Sequence, residues 1–130
     1  MKNIIIVDDS PIIHKLLRKT LENNGYKVIG DASNGKEGVD LFDKLDPDLV
    51  FMDITMPIMD GIEAVKIIKS KKPESRIIML TAMGDDEIIE QANNAGVDVF
   101  LKKPFDDYKI ISAISKLFWT PFATKYLNWF

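Results

Sequence analysis

The sequence predicts an α/β fold, a parallel β-sheet with helices on both faces. Five short apolar runs alternate with five helical patterns along the chain. Four of the runs are near-continuous rather than alternating, which suits strands buried on both sides of a sheet. The length, 130 residues, is that of one domain, and 46% hydrophobic with 28% charged residues is an ordinary globular balance.

The first run is Ile4-Ile5-Ile6-Val7. Ser10 then caps a helix with Pro11 at its first position, and Ile12, Ile13, Leu16, Leu17 and Leu21 form its apolar stripe. Asn23-Asn24-Gly25 ends that helix, and a weaker run follows at Tyr26–Ile29, interrupted by Lys27 and Gly30, which predicts an edge strand. Asn34 caps a second helix with Val39, Leu41, Phe42 and Leu45 inward, stopped by Pro47. The third run is Leu49-Val50-Phe51-Met52, and Asp60 caps a helix with Ile62, Val65, Ile67 and Ile68 inward. Ile77–Leu80 is the fourth run; Asp85 and Asp86 open a helix with Ile88, Ile89, Ala92 and Ala95 inward and Gly96 after its end. Val97–Leu101 is the fifth run, and Asp106 or Asp107 opens a helix carrying Ile110, Ile111, Ile114 and Leu117. Right-handed crossovers leave few topologies for this βα repeat, and the expected one is a flavodoxin-like (βα)5 domain with strand order 2-1-3-4-5.

Composition removes several function classes. There is no cysteine and only one histidine, His14, so thiol catalysis, Cys zinc sites and multi-His metal sites are excluded. The net charge of −3 is of the wrong sign for a free-standing nucleic-acid binder. No apolar run approaches the length of a membrane span, and no export signal is visible, so the expected location is cytoplasmic, with no membrane partner. Glycine patterns for a nucleotide cradle or a nucleophile elbow are missing, which argues against ATP as a direct phosphate donor.

The polar residues sit where such a sheet binds ligands, outside the carboxyl ends of its strands. Asp8 and Asp9 follow the first strand, Asp53 the third, Thr81 the fourth, and Lys102, Lys103 and Pro104 the fifth. Strand order brings these ends together, placing three carboxylates in a small space. Their repulsion is resolved by a hard divalent cation such as Mg2+, which takes oxygen ligands from one or two carboxylates plus a phosphoryl group. A carboxylate left free can act as nucleophile and form an aspartyl phosphate. The cation, Lys103 and Thr81 would balance charge on the transferred group.

Four segments at these strand ends carry a family likeness: Val7-Asp8-Asp9-Ser10, the run Met52-Asp53-Ile54-Thr55-Met56-Pro57-Ile58-Met59-Asp60-Gly61, Leu80-Thr81-Ala82, and Lys102-Lys103-Pro104-Phe105. In order and spacing they resemble the receiver domain of two-component response regulators over residues 1–118, most closely the stand-alone chemotaxis members. The resemblance implies that Asp53 is the phospho-acceptor, that Asp9 binds Mg2+ directly and Asp8 mainly through water, and that the Thr55 main-chain carbonyl completes the protein ligands. It implies that Lys103 pairs with Asp53 and then with the phosphoryl group, and that Thr81 moves toward it on activation. Phe100 occupies the switch-aromatic position without a tyrosine hydroxyl, small Ala82 keeps the acceptor accessible, and Lys103–Pro104 matches a cis peptide. The implied phosphodonor is a sensor histidine kinase or phosphotransfer protein, and the implied effector a flagellar motor switch protein or another partner in trans. The receiver would be a monomer that promotes its own phosphorylation and dephosphorylation, not a conventional turnover enzyme.

Two other readings stay open: a receiver severed from a DNA-binding output domain, and a haloacid-dehalogenase-like Mg2+ phosphatase. The second needs another acid two residues after the nucleophile, where this chain has Thr55. His14 falls with Lys15 and Arg18 on the polar side of the first helix and is expected to face solvent. Residues 119–130 depart from the pattern: Thr120 and Pro121 can start a short helix with Phe122, Tyr126, Trp129 and Phe130 on one face. This tail packs on its own domain, mediates association with another molecule, or is linker.

Overall fold

The elements run β1 (Asn3–Val7), α1 (Pro11–Asn23), β2 (Lys27–Ala32), α2 (Gly35–Leu45), β3 (Leu49–Asp53), α3 (Gly61–Lys71), β4 (Ile77–Thr81), α4 (Asp86–Asn94), β5 (Val99–Lys102) and α5 (Asp107–Ser115). The structure is a computed structural model and describes residues 2–82 and 86–118. All strand pairs are parallel, in the order β2-β1-β3-β4-β5, so the predicted topology holds and β2 is an edge.

Two apolar clusters fill the two faces of the sheet. Ile4, Ile6, Phe51, Ile78 and Leu80 point toward α1 and α5, where they join Leu17, Leu21, Ile110 and Ile114. Ile5, Val7, Val50, Met52, Ile77 and Met79 point the other way, toward Val39, Phe42, Val65, Ile68 and Ala92 of α2, α3 and α4. Alternate residues of one strand thus serve opposite layers, which is why β3 and β4 read as unbroken apolar runs. Helix starts are fixed by side chains as expected: Ser10, Asn34, Asp60 and Asp106 each accept a main-chain N–H from the first turn of their helix.

Two strands begin later than their apolar runs suggest, for one reason. Tyr26 and Val97 each follow a glycine with positive φ, Gly25 at 85° and Gly96 at 99°. The Tyr26 N–H donates to the Leu21 carbonyl at 3.0 Å and the Gly25 N–H to Glu22 at 3.3 Å; Val97 and Gly96 repeat this with Ala92 and Asn93 at 3.2 and 3.1 Å. These are Schellman closures, in which the apolar residue after the glycine packs back on its own helix. Tyr26 and Val97 are therefore buried cap residues and not strand residues.

Gly30, the glycine that interrupts the apolar run, lies inside β2, which continues to Ala32. The β1–β2 register shifts between Ile4, opposite Val28, and Ile5, opposite Gly30. A Cβ at Gly30 would stand 3.0 Å from Leu45 Cδ1 and 3.3 Å from Leu41 Cδ1, so the missing side chain lets α2 pack on the edge strand.

The predicted α1 stripe needs a correction. Ile12 is 77% exposed. At about 100° per residue it lies roughly 140° round the helix from Leu17 and 180° from Leu21. Thr20 takes the buried place instead, and its hydroxyl donates to the Asp107 carboxylate of α5. In α4 only Ala92 is buried, with Ile88 and Ile89 at the partly covered edges; Asp85, the other expected opener, lies outside the described residues. The tail over residues 119–130 also lies outside them. No helix among the described residues is long and apolar enough to cross a membrane.

Ile58 is a β-branched residue at φ 71°, in the loop between β3 and α3, and is largely exposed. That conformation suits glycine and strains a branched side chain. Ile58→Gly is expected to raise stability by about 1 kcal/mol, read as a higher urea midpoint at unchanged slope.

Candidate functional site

The carboxyl ends of β1, β3, β4 and β5 form one edge, and the chain leaves each strand there with a polar residue. Asp8, Asp9 and Asp53 each place a carboxylate oxygen within 4.8 Å of the others. Asp8 is fully buried and Asp53 nearly so, whereas Asp9 is exposed. Lys103 enters from the turn after β5, with its Nζ 3.0 Å from Asp8 Oδ2 and 3.3 Å from Asp53 Oδ1. One ammonium therefore serves two carboxylates, and the third opens to solvent.

Each group is held by local structure. Asp8 Oδ1 accepts the Ser10 N–H at 2.8 Å, which turns the chain from β1 into α1. The Asp8 N–H donates to the Ala32 carbonyl of β2 at 3.0 Å. Asp53 is the last residue of β3, and the loop behind it returns at once: the Gly61 N–H donates to the Ile54 carbonyl at 2.7 Å. The Lys103 N–H donates to the Thr81 carbonyl at 2.7 Å, tying the β5 turn to the end of β4, and the next peptide, Lys103–Pro104, is cis.

Burial, reinforced by the Asp8 charge, pushes the Asp53 carboxyl up to about 6 against the pull of Lys103. Burial also works against the Lys103 ammonium, but its contacts with Asp8 and Asp53 outweigh it and the group is raised above its ordinary value. The site thus holds more negative charge than its one lysine balances. A cluster of hard oxygen donors with an uncompensated charge fits a Mg2+ ion, for which Asp8, Asp9 and Asp53 are the residues available.

The other predicted residues occupy the rim. Thr81 ends β4 and is buried, and Ala82 after it is exposed. Thr55 is exposed in the loop two residues beyond Asp53. Phe100 lies in β5, half-buried against the cluster under α2, α3 and α4. Lys102 is exposed.

His14 corrects the sequence reading. It is half-buried instead of solvent-facing, with Nε2 2.6 Å from the Asp8 main-chain carbonyl and Nδ1 3.1 Å from Asp31 Oδ1. Helical periodicity places residues relative to their own helix only. It carries no information about the end of β1, which passes beside the first turn of α1. Gly61 closes one of the four segments that carry the likeness, and its steric role emerges only here: a Cβ there would fall 1.9 Å from the Asp53 carbonyl oxygen.

Comparison with known proteins identifies the family. Residues 4–115 match the response regulator receiver domain. The chain is 40% identical over 116 residues to chemotaxis protein CheY of Thermotoga maritima, covering 89% of this chain and 97% of that one. It is 43% identical over 114 residues to CheY of Halobacterium salinarum, covering 88% and 94%. Among solved structures, the crystal structure of the CheX–CheY–BeF3–Mg2+ complex from Borrelia burgdorferi superposes with a TM-score of 0.86 at 31% identity, covering 92% of this chain and 90% of that one. An acidic cluster at the strand ends, one lysine between two of its carboxylates, and a match spanning most of the chain place this protein in the response-regulator receiver family.

Proposed function

We propose that the chain is a stand-alone phosphorylation switch: Asp53 accepts a phosphoryl group, and the acidic edge of the sheet converts that event into altered affinity for a partner in trans. The observation that carries this reading is the buried Asp53, held 3.3 Å from Lys103 beside two further acids that can share a cation. With its carboxyl pushed to about 6, Asp53 is largely ionised at neutral pH yet more basic than an ordinary aspartate, which suits a nucleophile.

Asp8, Asp9 and Asp53 would hold Mg2+, with the Thr55 carbonyl as a further ligand. When bound, Mg2+ supplies charge neutralisation for the phosphoryl oxygens. An Asp53 carboxylate oxygen forms the new O–P bond while the bond from phosphorus to the donor breaks. Lys103 then pairs with the phosphoryl oxygens it faces, and Thr81 donates its hydroxyl to another. Lys103 keeps Asp8 as its partner throughout, so its ammonium stays placed. Phe100 and Thr81 would carry the change to the face formed by α4, β5 and α5. A structural relative solved in a complex with BeF3 and Mg2+ supports a receiver that takes a phosphoryl-like group together with a divalent ion. The similarity to chemotaxis proteins supports a histidine kinase or phosphotransfer protein as donor, a motor-switch effector, and action in the cytoplasm as a monomer.

The test is a mass measurement. With Mg2+ and acetyl phosphate the intact chain should gain about 80 Da, lost again on standing or with hydroxylamine, and EDTA should prevent the gain. No adduct in the presence of Mg2+ would refute the proposal.

A further inference from the structure

Asp8 is held from several sides, and one of the contacts is unexpected. Its N–H donates to the Ala32 carbonyl, its Oδ1 accepts the Ser10 N–H, its Oδ2 is paired by charge with Lys103 without an aligned hydrogen bond, and its carbonyl oxygen is held by His14. That carbonyl belongs to the rigid peptide joining Asp8 to Asp9. Its orientation decides where the Asp9 carboxylate emerges relative to that of Asp8. β1 ends at Val7, so the sheet ladder no longer controls this peptide.

We propose that His14 is a positioning residue for the Asp8–Asp9 pair, fixing the peptide plane from which the two acids converge on their cation. A carbonyl oxygen only accepts, so at 2.6 Å the Nε2 nitrogen carries a proton toward it. On the other side of the ring Nδ1 lies 3.1 Å from Asp31 Oδ1, and the second oxygen of Asp31 is anchored by Arg18, one turn further along α1. The His14 N–H itself closes the first turn on the Ser10 carbonyl at 3.2 Å. The single histidine of the chain thus delivers one hydrogen bond, from Nε2, to the peptide between two site acids, while Nδ1 faces a second acceptor. Both groups facing the ring are acceptors, so an all-donor arginine should serve in the same place, whereas leucine cannot.

This inference rests on the proposed Mg2+ site, and the test separates the two. The full native chain is compared with His14→Leu and His14→Arg. Without metal, the Asp8 carbonyl 13C and Asp9 amide 15N resonances should move in His14→Leu and return toward native positions in His14→Arg. In calorimetric titration with MgCl2, His14→Leu should bind about tenfold more weakly than native and His14→Arg within about threefold. If His14→Leu does not fold, His14→Ser, too short to reach the carbonyl, replaces it. Unmoved resonances, equal shifts in the leucine and arginine forms, or unchanged Mg2+ affinity in His14→Leu would overturn the inference. A native chain that takes up no Mg2+ while the resonances behave as expected overturns the metal reading and leaves the positioning role supported.

Discussion

Asp53→Asn is expected to abolish the acetyl-phosphate adduct while making the metal-free protein more stable. Loss of the adduct follows from removing the nucleophile: the amide oxygen is a poor one, and labelling should fall at least about a hundredfold. The gain in stability follows from the charge at the site. Burial and Asp8 raise the folded-state carboxyl to about 6 from its ordinary 3.8. Between those values the folded chain holds a proton that the unfolded chain has released. Stability from this group therefore falls as pH rises through the window, and the cost is fully present at pH 7. Asn removes that charge, and Lys103 keeps Asp8 at 3.0 Å as its partner. The substitution should stabilise by about 1–2 kcal/mol at pH 7.5 and by progressively less toward pH 4, read from urea midpoints at several pH values. An adduct that persists in Asp53→Asn would move the acceptor elsewhere. A stability difference that grows as pH falls would contradict the raised carboxyl.

Gly61→Ala is expected to be the most damaging conservative change near the site. A Cβ would stand 1.9 Å from the Asp53 carbonyl oxygen, 2.9 Å from its carbonyl carbon and 3.0 Å from Ile54 Cα. All three are main-chain atoms, so no side chain can swing aside. Either α3 moves outward, losing the 2.7 Å bond from the Gly61 N–H to Ile54, or the end of β3 moves and carries Asp53 with it. Repacking of this kind should cost about 3 kcal/mol or more, measured by urea unfolding. Labelling of Asp53 should slow as well, because the displaced strand end is the residue's own backbone. Gly35 is a second such contact, where a Cβ would meet the Met59 carbonyl oxygen at 2.5 Å, and Gly35→Ala should show a milder version of both effects. Full stability in Gly61→Ala would mean that the β3–α3 turn tolerates a shift its hydrogen bonds do not suggest.

The order of elements, four helix caps and the residues of the acidic edge were legible in the sequence because each rests on local chemistry, and the strand order followed from crossover handedness and the topology common to such a βα repeat. Strands buried on both faces must be apolar throughout, caps need a short side-chain acceptor, and ligands gather where parallel strands end. The misplaced strand starts at Tyr26 and Val97 were also local, but ambiguous: an apolar residue after glycine reads alike as a strand start or a helix closure, and only the bonds to Leu21 and Ala92 separate them.

What the tertiary structure alone decided lies between segments distant in the chain. That Lys103 also reaches Asp8, that Thr20 reaches Asp107 across two helices, that Gly61 touches the Asp53 backbone, and that His14 grips the peptide between Asp8 and Asp9 are all consequences of packing. Sequence patterns determine which face of an element is apolar and what its ends can bind. The distances between elements, and so the charge that a buried carboxylate feels, exist only once the layers have closed on one another.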